Sequence, residues 1–392
     1  MSIALLYERS ESDETGIKLT AQDMGIDLTF IPFRKIALTI SENGFTAKTK
    51  GNNYTDTVKD VAVVLNRAQS KNRRLQAGYL MEMLGKKTIN SSQIEFTCYS
   101  KLRTLLHFWE EGIPIPKTVY VPCDATDTLK NGMEIHNEKD IADLLQKEID
   151  LDQGIVVKPD AGTHGKGMML SKNRNQLVAS IQETKPSIIN PVGVTAQEAV
   201  GKWFYDLRII TYKEKGTPVV CHPVALARGG SKDFRTNTYL GNMVFEAKIP
   251  DSIQDLAVKC GKALGKGSEA WVFALDAMID VGENRTVSNT ELQSYLEKAA
   301  AEFEKVRKVK QDENRLRDFP GWNSKLEAAF QTYMSTKSYM KIKSIIEESI
   351  EKNKDKVLFH EANSCPEFWE HTRLISGLNV AVPLLKGAQS LI

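Results

Sequence analysis

Through its first 170 residues the chain alternates short β-type runs with helical patterns, and that alternation restricts its fold more than any other feature. Ile3–Tyr7, Asp27–Ile31 and Val61–Leu65 are strand-like, the last a continuous apolar run of the kind a strand carries when both of its faces are covered. Between them, Leu75, Tyr79, Leu80, Met83 and Leu84 recur at helical spacing within Arg73–Leu84. This strand–helix–strand rhythm builds a parallel sheet. A helix is predicted over Tyr99–Glu111, ended by Gly112 and by Pro114 and Pro116. Strands follow at Thr118–Val121 and Ile155–Val157, with a helix over Asn175–Glu183. From Val194 the runs lengthen and predict an antiparallel hairpin turning near Glu214–Gly216, then a helix over Ile253–Leu264 and an apolar strand at Ala270–Ile279. The fold class is α/β, with α+β lobes in the later part.

One segment has a different texture. Ser288 and Glu291 form a candidate capping box, and Leu292, Leu296, Ala299, Phe303 and Val306 follow at three- and four-residue spacing. Pro320–Gly321 breaks the pattern, after which Leu326, Phe330 and Tyr333, then Ile342, Ile345, Ile346 and Ile350, continue it. A helical hairpin or small bundle is therefore inserted over about residues 288–355, and β structure returns at Val357–Glu361. The final helix begins near Gly377. At 392 residues the chain is too long for one simple core.

Composition excludes some functions. Fifty-two Lys+Arg against fifty Asp+Glu give a formal charge of +2, without the basic excess of a dedicated nucleic-acid binder. No run approaches the roughly 18 apolar residues of a membrane helix. The opening MSIALLYERSESDE does not read as a secretory leader. Cysteines 98, 123, 221, 260 and 365 form no CxxC or zinc spacing and read as reduced thiols of a cytoplasmic protein.

Three stretches can carry chemistry. In GIVVKPDAGTHGKGMML, Lys158 ends an apolar strand and Gly162, Gly165 and Gly167 follow. Glycines let backbone N–H groups approach phosphate oxygens, and a strand-end lysine supplies a fixed charge. Met168 stands where a Walker A lysine would be. Second, Asp276 lies inside the apolar run WVFALDAMID, and Glu361 and Asn363 lie two apart in LFHEANS, on one face of a strand. Two carboxylates and an amide oxygen suit Mg²⁺ that also binds phosphates. Third, RGGSKDFRTN offers Arg228, Lys232 and Arg235 beside glycines, a lining for a polyphosphate. His164, His222, His360, the run KVRKVK and GKALGKGS read as structural or solvated features, the last as a helix C-terminus at Gly265.

The order of these pieces resembles the ATP-grasp superfamily, and within it the RimK-type ligases: ribosomal-protein glutamate ligases, amino-group-carrier lysine-biosynthesis ligases and relatives. The likeness runs through LNRAQS, SKLRTLLHFWEEGIPIPKT, GIVVKPDAGTHGKGMML, AQEAV, DLRIIT, KDFRTN, HEANSCPEF and SGLNVA. It implies an ATP-grasp fold with a parallel-sheet pre-ATP-grasp domain over 1–95, a central lobe with the glycine-rich loop over 96–196, and a C-terminal lobe over 197–392 that carries the insertion. It also implies roles. Lys101 and Lys158 would hold the α- and β-phosphates under the loop of Gly162, Gly165 and Gly167. Gln197, Glu198, Ala199 and Val200 would line the adenine, and Asp206 the ribose. Arg228, Arg235, Thr236 and Asn237 would surround the γ-phosphate, with Arg228, Arg235 and Lys158 catalytic. Asp276, Glu361 and Asn363 would bind two Mg²⁺ ions, with Mn²⁺ as the substitute.

The resemblance implies an ATP-dependent carboxylate–amine ligase that works through an acyl phosphate, on small-molecule or peptide acid and amine substrates such as glutamate. It implies a homo-oligomer without nucleic-acid or membrane partners. Two departures stand out: the metal strand reads ALDAMID without the usual glycine, and the insertion replaces a short hairpin. The insertion is placed to cap the acceptor pocket, to receive a carrier protein or peptide, or to add packing or an oligomer contact. A phosphotransferase acting on a hydroxyl and a non-catalytic ATP-binding protein are the rival readings.

Overall fold

The computed structural model describes residues 2–123, 137–162, 167–184, 193–230 and 241–392. The first strands and helices are β1 (Ser2–Tyr7), α1 (Ser12–Asp23), β2 (Leu28–Pro32), β3 (Ala37–Ser41), β4 (Gly44–Lys48), α2 (Thr55–Asp60), β5 (Val61–Arg67), α3 (Lys71–Met83) and β6 (Lys87–Ile89). The predicted rhythm forms a four-stranded parallel sheet, β2-β1-β5-β6. β5 is covered on both sides, which is why its sequence is continuously apolar: Val63 and Leu65 enter one core and Val64 another. The β3–β4 hairpin has no counterpart in the sequence reading. Its outer strand is exposed along its whole length, so no buried face imposes a pattern.

The predicted helix over Tyr99–Glu111 is two helices, α4 (Ser92–Tyr99) and α5 (Lys101–Glu110). Ser100 between them is extended, and its hydroxyl accepts from the backbone of Arg103 at 3.1 Å. A capping serine thus restarts the helix where periodicity alone runs through. Lys101 thereby becomes the first residue of α5.

The next unit holds β7 (Thr118–Val121), α6 (Glu138–Glu148), β8 (Ile155–Lys158), β9 (Met169–Ser171), α7 (Arg174–Thr184) and β10 (Val194–Glu198). Its antiparallel sheet, in the order β7-β10-β8-β9, packs with α6 and α7 around a separate core of Ile141, Leu145, Val157, Leu177 and Ile181.

The last unit comprises β11 (Tyr205–Lys213), β12 (Val220–Cys221), β13 (Val224–Gly229), β14 (Met243–Lys248), α8 (Asp251–Leu264), β15 (Trp271–Ile279), α9 (Asn289–Lys310), α10 (Phe319–Met334), α11 (Lys337–Lys352), β16 (Val357–Asn363), α12 (Thr372–Ser376) and α13 (Ala381–Leu391). Its antiparallel sheet runs β14-β13-β11-β15-β16. GKALGKGS is indeed a helix end, with Gly265 as the C-cap of α8. The apolar core of this sheet is continuous with that of the first: Leu5, Val63 and Ile89 belong to one cluster with Leu207, Phe273 and Phe359.

The insertion is three helices, with a break at Thr336, whose hydroxyl caps α11. Ser288 caps α9 through the Glu291 N–H, and the reciprocal half of the predicted box is not formed. All the predicted apolar positions are buried. They cover β14, whose edge would otherwise be open. Tyr333 Oη donates to Val244 O at 3.1 Å, while Tyr339 Oη and Glu347 Oε1 accept from the N–H groups of Glu246 and Lys248 at 3.0 and 3.1 Å. Side chains stand where a further strand would pair, which protects the sheet edge.

Residues 364–373 follow β16 and are held from two sides. Asp13 at the start of α1 accepts from the N–H groups of Phe368 and Trp369 at 3.0 and 2.8 Å, and Arg67 donates to Asp13 and to Pro366 O. A Cβ on Gly16 would lie 2.0 Å from the Trp369 ring. Alanine should gain about 1 kcal/mol of helix propensity in α1. The overlap with a ring fixed on both sides should cost more, so Gly16→Ala is expected to lower stability by about 1–3 kcal/mol in urea unfolding.

Candidate active site

The C-terminal sheet collects the chemistry on one face, and strand register explains how. Asp206 pairs with Arg228 between β11 and β13, Arg208 with Asp276 between β11 and β15, and Asp276 with Glu361 between β15 and β16. Directly opposed residues share a face, as do residues two apart, so Asp206, Arg208, Arg228, Asp276, Glu361 and Asn363 all lie on the same one. Charge alternates across it. Arg228 donates to both oxygens of Asp206 at 2.9 Å, and Arg208 to both oxygens of Asp276 at 2.9 and 3.0 Å. Arg228 also lies 3.2 Å from Asp276 Oδ2.

Asp206, Arg228 and Asp276 are buried, a cost that only paired, hydrogen-bonded charges offset. Burial pushes the Asp276 carboxyl up, but Arg208 and Arg228 outweigh it and hold the group far below the usual carboxylate range. Asp206 is also net lowered: burial raises it, and Arg228 with Lys202 lowers it further.

A bulge interrupts the register between Asp276 and Ala277, so that His360 and Glu361 together oppose Asp276. Bulges re-aim side chains beside sites. Both His360 ring nitrogens are buried without a hydrogen-bond partner, and burial with the charge of Lys158 lowers the ring to about 4. Among the described residues, the side chains of Glu361 and Asn363 have no hydrogen-bond partner. Burial raises the Glu361 carboxyl, and Lys101 and Lys71 more than reverse the shift.

Lys158 lies buried at the end of β8, donating to Gln197 Oε1, and Gln197 in turn donates to Thr118 Oγ1 at 2.9 Å. Burial brings the Lys158 ammonium down from 10.5 to about 7, with Glu361 pulling the other way. Lys101 stands at the start of α5 with its ammonium on the carbonyl oxygens of Pro159, Asp160 and Gly162, at 3.2, 3.4 and 3.1 Å. It thus ties down the entrance of the glycine-rich stretch. Glu198 accepts from the Lys117 N–H at 2.8 Å, and Ala199 N donates to Gly154 O at 2.9 Å, so the connection around Val200 is fastened to the central unit. Gly167 adopts φ +72, open to glycine without strain. Gly165, Arg235, Thr236 and Asn237 lie outside the described residues.

The charges that act on Glu361 and Lys158 bring Lys101 and Lys158 near Glu361, and Glu361 near Asp276, with Gln197 reached only through its bond from Lys158. It gives Asp206 to Arg228 as that arginine's anchor, a partnership outside the roles implied above. Sequence reasoning gave no role to Arg208 or Lys71 and read His360 as structural. Arg208 was legible, two residues after Asp206 on the same strand, whereas Lys71 and the bulge at His360 come only from tertiary packing. His222, read as structural, donates from Nε2 to Ser376 O at 2.9 Å.

The donor set is one that a divalent cation shared with phosphates can use. Among the described residues, no group of three or more His, Cys, Asp and Glu side chains could hold a metal ion by itself. Asp276, Glu361 and Asn363 supply oxygen donors, the last two without a hydrogen-bond partner among the described residues, so a hard cation would complete its shell with water and phosphate oxygens.

Residues 126–308 match the family model of a RimK-like ATP-grasp domain. Alpha-aminoadipate--LysW ligase LysX of Sulfurisphaera tokodaii is 27% identical over 215 residues, covering 55% of this chain and 67% of that protein. The enzyme of the same name from Saccharolobus solfataricus is 26% identical over 207 residues, 53% and 67% of the two chains. A probable alpha-L-glutamate ligase of Maridesulfovibrio salexigens is 28% identical over 189 residues, 47% and 54% of the two. Among solved structures, D-alanyl-alanine synthetase A of Vibrio cholerae aligns with a TM-score of 0.49 at 11% identity, over 71% of this chain and 84% of that one.

The low value at Lys158 has a measurable consequence. The unfolded chain keeps this lysine protonated up to about 10.5 and the folded chain only up to about 7, so between these limits the unfolded state binds more protons and Lys158 makes stability rise with pH. Lys158→Met removes that contribution. The stability of Lys158→Met relative to the unaltered protein should be highest near pH 7 and decline toward pH 10, as read by urea unfolding at several pH values.

Proposed function

We infer that this chain, which its matched domain and its relatives place among the RimK-type ATP-grasp proteins, is an ATP-dependent carboxylate–amine ligase. The observation that carries the reading is the charge-alternating sheet face ending in Glu361 and Asn363, with the buried Lys158 and Lys101 acting on Glu361. A carboxylate does not acylate an amine until it is activated. Transfer of the ATP γ-phosphoryl group to a carboxylate oxygen gives an acyl phosphate and ADP. Attack by the amine then forms the amide and releases phosphate and a proton.

The chain's residues suit these steps without an enzyme nucleophile. Phosphoryl transfer needs positioning and fixed positive charge more than covalent help. Arg208 and Arg228 are held in place by bidentate carboxylates, which fixes their donors before substrate arrives. Lys158 supplies a desolvated amine, protonated below about 7 in the free protein, that acts on Glu361, with Gln197 fixing its direction. When a divalent cation is bound, it supplies charge neutralisation of the phosphates; Asp276, Glu361 and Asn363 are the residues that would hold it, and we take it to be Mg²⁺. In the nucleotide pocket we assign Gln197, Glu198, Ala199 and Val200 to the adenine, and the loop of Gly162, Gly165 and Gly167 with Arg235, Thr236 and Asn237 to the phosphates.

Relatives named for alpha-aminoadipate and alpha-L-glutamate support an amino-acid substrate for this chain as well. The three sheets are read as the lobes expected from the sequence, and the acceptor as a small molecule or a peptide. Among the described residues no helix is long and apolar enough to cross a membrane.

A pairwise screen of amino acids and small carboxylates with MgATP tests the reading. ADP and phosphate should appear together only when an acid and an amine are both present, with an amide found by mass spectrometry. A stable phosphorylated product instead of an amide would favour a phosphotransferase. Glu361→Gln is expected to lower turnover by roughly 100-fold or more while the protein stays folded.

A further inference from the structure

A cavity of about 330 Å³ lies where the end of α8, the turn between β11 and β12 and the start of β15 meet. In strand register Lys213 pairs with Trp271 at the cavity, and Arg208 with Asp276 in the charged row. The two pairs are five residues apart along each strand, about 17 Å at the rise of a strand. The cavity is therefore separate from the nucleotide pocket and from the carboxylates that would hold a cation. It closes onto the N-terminal unit: Glu269 pairs with Lys87 of β6 at 3.1 Å and with Lys215 at 3.2 Å, and Ser268 Oγ lies 2.9 Å from Ser91 Oγ. Junctions between units are where small-molecule pockets form, and the volume falls in their usual range.

The lining is cationic, and its cations have no acids of their own. Lys213 ends β11, Lys262 stands in the last turn of α8 and Lys266 follows that helix; none of the three has an ion pair among the described residues. Glu269 is the one acid in the lining, and Lys87 and Lys215 already share it. The C-terminus of α8 adds roughly half a negative charge, which three ammonium groups exceed. Beside them lies Trp271, only 1% exposed. Its Nε1 stands against Gly265, where a Cβ would come within 2.1 Å, and the N–H donates to no protein group among the described residues. Indole N–H and ammonium groups only donate, so the cavity offers donors and positive charge to a ligand built of acceptors.

We propose that this cavity is an anion site, distinct from the nucleotide pocket, that takes the phosphate group of a small molecule. Arginine, whose planar fork matches a carboxylate, is absent from the lining, and separate lysine point charges suit the several oxygens of a phosphate. A phosphate seated among the three lysines would also give the Trp271 N–H its acceptor. The segment GKALGKGS thus gains a phosphate role through lysines at a helix end, not through a loop of backbone amides. The site goes beyond the ligase reading, since none of its residues is assigned to nucleotide, cation or acceptor.

Inorganic phosphate titrated into the ¹⁵N-labelled full chain tests this, with a non-hydrolysable ATP analogue and Mg²⁺ saturating the nucleotide pocket and sodium chloride holding the ionic strength constant. The readout is the indole ¹H–¹⁵N resonance of Trp271, identified among the five tryptophans by its loss in Trp271→Phe. Phosphate should move that resonance along a saturating curve. In the double variant Lys262→Gln, Lys266→Gln the curve should shift to roughly tenfold higher phosphate or more, while Lys139→Gln on α6 should leave it unchanged. Unmoved indole resonances of the other tryptophans show that the variants are folded. A Trp271 resonance that phosphate does not move, that moves alike in the double variant, or that Lys139→Gln weakens equally overturns the site. Failure of the analogue to bind counts against the ligase reading alone and leaves the Trp271 result standing.

Discussion

Everything in the site depends on opposite charges paired across neighbouring strands. Burying Asp206, Asp276 and Arg228 in a sheet is costly unless each is matched in charge and hydrogen-bonded, and bidentate arginine–carboxylate pairs meet both conditions. Strand register dictates the pairs, so the geometry is set by the backbone rather than by long side chains searching for one another. The result is a rigid row of alternating charge that ends, at β16, in two oxygen donors with no hydrogen-bond partner among the described residues. Such a row is pre-organised: little has to reorient when a polyanion and its cation arrive.

Against this fixed face stands a unit with its own hydrophobic core. The parallel sheet and the large antiparallel sheet share one apolar cluster, while β7–β10 with α6 and α7 pack around another. Separate cores are what allow one part of a protein to shift against another. The lysines that face Glu361 come from both sides of that division: Lys158 from the central sheet, and Lys101 and Lys71 from helices that precede it. Lys101 couples the two by tying its ammonium to the carbonyls after β8. The insertion belongs to the fixed side, where it replaces a missing strand at β14 and braces the segment that follows β16 by accepting from Trp369 Nε1 at Asn323 Oδ1.

Much of this was legible in the chain. The continuous apolar run of β5, the acid inside β15 and the two-residue spacing of Glu361 and Asn363 each follow from the period of a strand and what its faces must bury. The apolar stripes of α9, α10 and α11 were equally plain, because an amphipathic helix writes its buried face every three or four residues. What escaped had no such signature. Ser100 splits a helix by capping, and a capping serine looks like any surface serine until the backbone around it is known. The bulge at His360 shifts a side chain by one residue of register, which periodicity cannot express. Lys71 acts on a group far away in sequence, and only packing brings it there. The resemblance to RimK-type ligases assigned Asp206 to a ribose. The structure adds that Asp206 anchors Arg228, a partnership that opposed positions on β11 and β13 make natural.

The central claim is that the end of this charged row, not the nucleotide alone, holds the divalent cation. Electron paramagnetic resonance of Mn²⁺ titrated into the protein with a non-hydrolysable ATP analogue addresses it directly. The account predicts a protein-bound Mn²⁺ signal that weakens by roughly tenfold or more in affinity in Asp276→Asn and Glu361→Gln. Mn²⁺ binding that is identical in the unaltered protein and both variants would contradict it.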